Sequence, residues 1–428
     1  MRSCGPTHGL RFAAALVAVV LSLAAGPART GAAFSPPRVL ANPLAYGGRL
    51  FSCPDPDVFK LPGQERWVAS CTSDYGQLNP RPGRSDYGRS GAAFPIYETV
   101  GSSLKHWVFR SFIFPPGRHP PGALPPLGAA PGGRYWADEI HRIGRNWVAY
   151  FAAQMVPTAA DPVPRGTFAL YVAWTRNLFG GSWQSRLLHY SGQFNAVPGN
   201  AMEFSGGVID PSVARNPQTG ALDIVWAKQA NLIFEGQLTP DGLSLEPHVS
   251  LAVTANLPWE CNPNPTGQHC VVEGPVLYAD PVHRGLMDLF FNASGTWDDT
   301  YKTGIAVSAD PQHLKWSVYP SPIDQSALGY GLQGPGIGAQ PFVSPDGSLL
   351  MAVHLMTHAT HASQERYLGF VNVSYASALR LAVSQDDASD APPSGSSTQG
   401  AGQMTLPVPS INSGTPTRVV SYLASAPR

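Results

Sequence analysis

One pattern occurs five times in this chain and limits what it can fold into. A short segment carrying an acid or a Gly-Pro element is followed by a turn and then by a strongly apolar run. The units start at residues 54, 136, 207, 273 and 334, so they lie 82, 71, 66 and 61 residues apart. Their apolar runs include 66–71 (RWVASC), 146–153 (NWVAYFAA), 221–227 (ALDIVWA), 285–291 (GLMDLFF) and 348–354 (SLLMAVH). Each is shorter than an average helix and rich in β-branched or aromatic residues, as strands are. Turn chemistry precedes the third and fifth runs, at Asn216-Pro217-Gln218-Thr219-Gly220 and Ser344-Pro345-Asp346-Gly347. Five sheet units at this spacing predict an all-β, five-bladed β-propeller in a single domain. A β-sandwich takes about 100 residues, so the same length would need several domains. No linker-like break between 50 and 380 divides it that way.

Composition supports strands over helices. The 428 residues include 44 Gly and 43 Pro, which interrupt helices, and only 13% are charged. With 28 Lys+Arg against 28 Asp+Glu and no basic run, the chain lacks the electrostatic footprint of a nucleic-acid binder. Hydrophobic residues at 43% are enough for a core, which argues against global disorder.

The two ends differ from the middle. Arg2 and Arg11 flank or precede an uncharged apolar stretch at 12–25, and small residues follow at Gly31-Ala32-Ala33. That stretch is too short to span a bilayer and fits a secretory signal over 1–33, so a secreted or periplasmic protein is expected, with no membrane contact after cleavage. Cys4 leaves with the signal. Cys53, Cys71, Cys261 and Cys270 remain, an even number in an oxidising compartment. Two disulfides are expected, and the sequence-local pairs Cys53–Cys71 and Cys261–Cys270 are favoured among three connectivities. Residues 385–428 turn polar, small and Pro-rich and read as a linker or tail, with 408–423 able to add one terminal strand. The folded domain is expected over 34–384.

Three acids stand at the starts of three units: Asp55 in Cys53-Pro54-Asp55-Pro56-Asp57, Asp210 in Ile209-Asp210-Pro211-Ser212, and Glu273 in Glu273-Gly274-Pro275. The first strand of each propeller blade lines the central channel, so these acids can converge near the axis. Together with Tyr135-Trp136-Ala137-Asp138-Glu139-Ile140 and Gly334-Pro335-Gly336, in this order over about 300 residues, the set resembles glycoside hydrolase family 43, the five-bladed arabinanases, arabinofuranosidases and xylosidases. The resemblance implies that Asp55 is a general base, Glu273 a general acid, and Asp210 the residue that orients and tunes the acid. It implies an exported glycosidase that cleaves arabinose- or xylose-containing polysaccharides or oligosaccharides with inversion, so that Asp55 activates a water while Glu273 protonates the leaving oxygen. Two alternatives stand beside it: a catalytically silent carbohydrate-binding propeller, and a retaining fructan-active propeller, whose Asn-Asp-Pro and Glu-Cys elements are missing here.

Asp57 competes with Asp55, because residues two apart share a face of a strand. The resemblance favours Asp55. Trp136 is a candidate platform for a sugar ring, with blade-to-blade packing as the alternative. Arg366 is a candidate clamp for sugar hydroxyls, with a solvated arginine as the alternative. Family members often carry a histidine after the fifth unit's Gly-Pro-Gly, near an axial calcium or water. This chain has Ile337 there, whose side chain cannot ligate a metal, so no cofactor is expected to be required and an axial calcium, the open alternative, is disfavoured. His354, His358 and His361 have zinc-binding spacing on a helix. The surrounding turn and apolar run favour a strand instead, with His354 lining the channel.

Overall fold

The computed structural model describes residues 45–46, 49–50, 53–72, 91–126, 134–156, 167–189, 207–228, 231–264, 267–280, 285–294, 301–310, 315–322, 332–337, 340–357 and 366–372. The expected signal at 1–33 and tail at 385–428 lie outside these residues, as do His358 and His361. All described residues belong to one compact unit. They form an all-β, five-bladed propeller.

Blade one contains Asp57–Lys60, Trp67–Ser70, Ala93–Thr99 and Trp107–Phe114. Blade two contains Tyr135–Ile143, Asn146–Gln154, Phe168–Thr175 and Gln184–His189. Blade three contains Val208–Arg215, Leu222–Lys228, Leu232–Leu238 and Leu245–Thr254. Blade four contains Val272–Ala279, Met287–Ala293, Lys302–Ser308 and Ser317–Val318. Each is an antiparallel meander, with neighbours in sequence paired in space. Blade five departs from this regularity. Leu332–Ile337 and Phe342–Val343 both pair with Leu349–Thr357, so its inner strand is interrupted, and Tyr367–Asn372 pairs on the far side.

The apolar runs in the sequence are the second strands, and burial explains why they are so apolar. Side chains alternate across a strand, and both faces of these strands are covered by neighbouring blades. In blade two, Ala149, Phe151 and Ala153 pack toward blade one, while Val148, Tyr150 and Ala152 pack toward blade three. In blade five, Leu350 and Ala352 pack toward blade one, and Met351 and Val353 toward blade four. A strand buried on both faces reads as a continuous hydrophobic run rather than an alternating one. Five such clusters fill the five blade interfaces, including the one that joins blade one to blade five.

Two disulfides match the sequence-local pairs. Cys53–Cys71 ties the entry of blade one to the end of its second strand, and Cys261–Cys270 closes a hairpin just before the inner strand of blade four. No helix among the described residues is long and apolar enough to cross a membrane.

Candidate active site

The inner strands share a local device. In blades two to five, two inner-strand residues oppose one on the second strand, between Trp136 and Glu139, Ile209 and Ser212, Glu273 and Val276, and Gln333 and Gly336. Each is a one-residue β-bulge, which kinks a strand and re-aims its side chains. The residue at the bend has a positive φ in blades two to four: Ala137 (48°), Asp210 (54°) and Gly274 (54°). Asp55, just before the inner strand of blade one, has the same conformation (φ 45°). Asp and Gly tolerate this region better than most residues. A proline follows at Pro56, Pro211 and Pro275, where its missing N–H costs no ladder bond. Asp138 occupies that position in blade two.

These bends stitch one blade to the next. Two residues beyond the bends of blades one, two and three, a side chain accepts the backbone N–H of the following blade: Asp57 Oδ2 from Ile140 (2.8 Å), Glu139 Oε2 from Val213 (3.1 Å) and Ser212 Oγ from Leu277 (2.9 Å). At the bend itself, Asp210 Oδ2 accepts from Gly274 N (3.0 Å). Thr72 takes the corresponding role for blade one: its hydroxyl donates to Asp55 Oδ2 (2.8 Å) and accepts from Ala137 N. Asp57 is a buried stitch between blades, whereas Asp55 faces the cleft.

That cleft is lined by Asp55, Asp138, Asp210 and Gly274 among others. Asp55 is a quarter exposed, and its Oδ1 lies 3.2 Å from His354 Nδ1 and 3.6 Å from Arg366 Nη1. Burial pushes the Asp55 pKa up. The bond to His354, the Arg366 guanidinium and the Thr72 hydroxyl outweigh burial and bring it down to about 2. His354, on the second strand of blade five, is held down to about 4 by burial first and then by Arg366, so its ring is neutral at pH 7.

Asp210 has the opposite character. Burial first, and then the charges of Glu273 and Asp55, raise its pKa well above the ordinary carboxyl range. Glu273 Oε1 accepts a hydrogen bond from the Tyr301 hydroxyl (3.0 Å). Tyr301 is itself buried, and burial followed by the charge of Glu273 keeps its phenol neutral. Asp55, Asp210, Glu273, Tyr301, His354 and Arg366 thus act on one another at one site.

The other sequence candidates are placed as follows. Arg366 is buried, not solvated; its guanidinium faces Asp55 and its carbonyl accepts Cys53 N (2.7 Å). Trp136 does not line the cleft. One face of its indole is covered by Phe168, with ring centroids 4.0 Å apart, and it packs into the interface of blades two and three. Thr72 and Tyr301 carried no sequence signal. No group of three or more His, Cys, Asp or Glu side chains among the described residues is arranged to hold a metal ion.

Asp138 gives this site a measurable pH dependence. It is 1% exposed, and burial raises its pKa from 3.8 to about 7, with Asp55 and Glu139 adding to the rise. An acid whose folded-state pKa is raised is unpenalised below its unfolded value and costs stability as pH climbs toward the folded one. Wild-type stability therefore falls between about pH 4 and pH 7, by about 4 kcal/mol at most from this group. Asp138→Asn is expected to match wild type in Tm at pH 4 and to exceed it at pH 8. Equal Tm differences at the two pH values would refute the assignment.

No family model and no curated protein matches the chain. Solved structures do. A thermostable family-43 glycoside hydrolase is 19% identical over 75% of this chain and 88% of that one, with a TM-score of 0.52. An α-L-arabinofuranosidase from Lactobacillus brevis is 19% identical over 75% and 90%, with a TM-score of 0.53. An endo-1,4-β-xylanase from Bacteroides thetaiotaomicron is 18% identical over 76% and 94%, with a TM-score of 0.51. The chain shares its fold with these three proteins.

Proposed function

We propose that this protein is an exported glycoside hydrolase acting on arabinose- or xylose-containing polysaccharides or their fragments, with inversion at the anomeric carbon. The observation that carries the reading is that Asp55 and Asp210 line one cleft, with Glu273 next to the cleft-lining Gly274 and acting electrostatically on Asp210. Their electrostatics differ in the way the chemistry needs. Asp55, lowered to about 2, is an anion at any working pH and accepts a proton from a water. Glu273, the acid in this reading, delivers a proton to the leaving glycosidic oxygen. The water oxygen bonds to the anomeric carbon as the bond to the leaving oxygen breaks. Asp55 ends protonated and Glu273 ends one proton poorer, so the site resets by passing a proton through solvent. Arg366 steadies the Asp55 anion.

Export is part of the same proposal. Two disulfides persist in oxidising compartments, and the apolar stretch near the N-terminus is of signal length. The fold similarity to an arabinofuranosidase and a xylanase supports pentose-containing substrates.

The test is a panel of aryl α-L-arabinofuranosides, aryl β-D-xylosides, linear arabinan and arabinoxylan, with the first-formed anomer read by proton NMR. Hydrolysis with inverted product is expected for at least one substrate. No turnover on any of them would favour a silent binding propeller, and a retained anomer would rule out the base role of Asp55.

A further inference from the structure

The proposed base and acid sit on blades that are not neighbours around the ring on the side where they meet. Asp55 belongs to blade one and Glu273 to blade four, and blade five lies between them. Two buried rings span this gap. His354, 1% exposed on the second strand of blade five, has Nδ1 3.1 Å from Asp55 N and 3.2 Å from Asp55 Oδ1. In one tautomer Nδ1 accepts the backbone N–H; in the other it donates to the carboxylate. Either tautomer ties the ring to Asp55. Tyr301, 3% exposed at the start of the third strand of blade four, donates its hydroxyl to Glu273 Oε1 at 3.0 Å. The two rings lie parallel within 3°, with centroids 6.4 Å apart, inside the range of offset aromatic attraction.

We propose that Tyr301 and His354 are positioning residues that form a strut between the general base and the general acid, fixing the separation of Asp55 and Glu273 across blade five. The proposal rests on the glycosidase reading and deepens it. The strut is suited to this task because both rings are buried and uncharged. Neither adds a charge that would disturb the carboxylates, and packing leaves neither ring free to turn away. Arg366, the nearby cation, acts on Asp55, Asp210, Tyr301 and His354. Misplacing a reacting group by about 1 Å can cost about a hundredfold in rate, which sets the size of the effect expected from cutting the strut.

The two ends of the strut predict different kinetics, and a merely structural role would not. Tyr301→Phe keeps the ring and removes the hydroxyl that steers Glu273. It is expected to lower kcat by about ten- to a hundredfold on phenyl glycosides, which need an acid. On 2,4-dinitrophenyl glycosides, whose leaving group departs without protonation, it should leave kcat within about twofold of wild type. His354→Leu acts on the base, so its loss should be the same for both leaving groups. His354→Asn, whose amide can stand in for Nδ1 in either tautomer, should restore most of that loss. Tm and circular dichroism establish that each variant is folded; if His354→Leu does not fold, the Tyr301→Phe leaving-group series decides alone. A uniform loss in Tyr301→Phe, or wild-type kcat in a folded His354→Leu, overturns the strut and leaves the glycosidase reading standing. A wild-type protein that hydrolyses neither glycoside overturns the glycosidase reading, and the strut with it.

Discussion

Asp55→Asn is expected to lower kcat on an aryl pentoside by about 10²- to 10⁴-fold, the usual contribution of a positioned base, whereas Asp57→Asn should stay within about threefold of wild type. The two residues differ by one step of a strand's period and carry the same functional group, so the contrast isolates position from chemistry. Asp55 stands at a positive-φ bend, a quarter exposed, with its charge held by Arg366 and Thr72. An amide there cannot take a proton from water. Asp57 is 4% exposed and accepts the Ile140 N–H. Burial, then the charges of Glu139 and Asp138, raise its pKa well above the ordinary range, so it already prefers the neutral form. An asparagine oxygen accepts the same N–H. Asp57→Ala, by contrast, orphans that donor and should cost about 1–3 kcal/mol of stability. Kinetics and thermal melts on the three variants check the assignment, and a silent Asp55→Asn would end it.

The second large effect is at the acid. Glu273→Gln should abolish turnover of substrates with poor leaving groups, by about 10²- to 10⁴-fold, and spare those whose leaving group needs no proton. Asp210→Asn tests the partner. A neighbouring carboxylate raises a carboxyl pKa, so its removal lets the acid lose its proton sooner, and the basic limb of the kcat/KM profile should move to lower pH. An unmoved limb would mean that Asp210 only braces the backbone through Gly274 N.

Much of this site is legible in the sequence, and the reason is local. An acid or glycine followed by proline marks the bends of blades one, three, four and five, because a positive φ and a missing N–H suit a bulge, while Ala137-Asp138 carries no such mark in blade two. The apolar runs mark the second strands because both their faces are buried. Other features come from contacts that no short window contains. Asp55 and His354 are 299 residues apart in sequence. Arg366 reads as a solvated side chain until the closure of blade one against blade five buries it. Tyr301 has no periodic context of its own, and Thr72 stands out only once the Cys53–Cys71 bond brings it beside Asp55. Trp136 shows the reverse case: its position beside the bend suggests a platform, but Phe168 takes one face. Blade five is the least regular blade because its inner strand is interrupted between Ile337 and Phe342.

The junction of blades one and five has a consequence of its own. The other four junctions join blades that are consecutive along the chain. Among the described residues, this one is held by side-chain packing, by Cys53 N on the Arg366 carbonyl, and by the grip of His354 and Arg366 on Asp55. The clasp that closes the ring is thus built from the same groups that hold the reactive anion. A slight parting of the clasp would free Asp55 while every blade still kept its own hydrogen bonds.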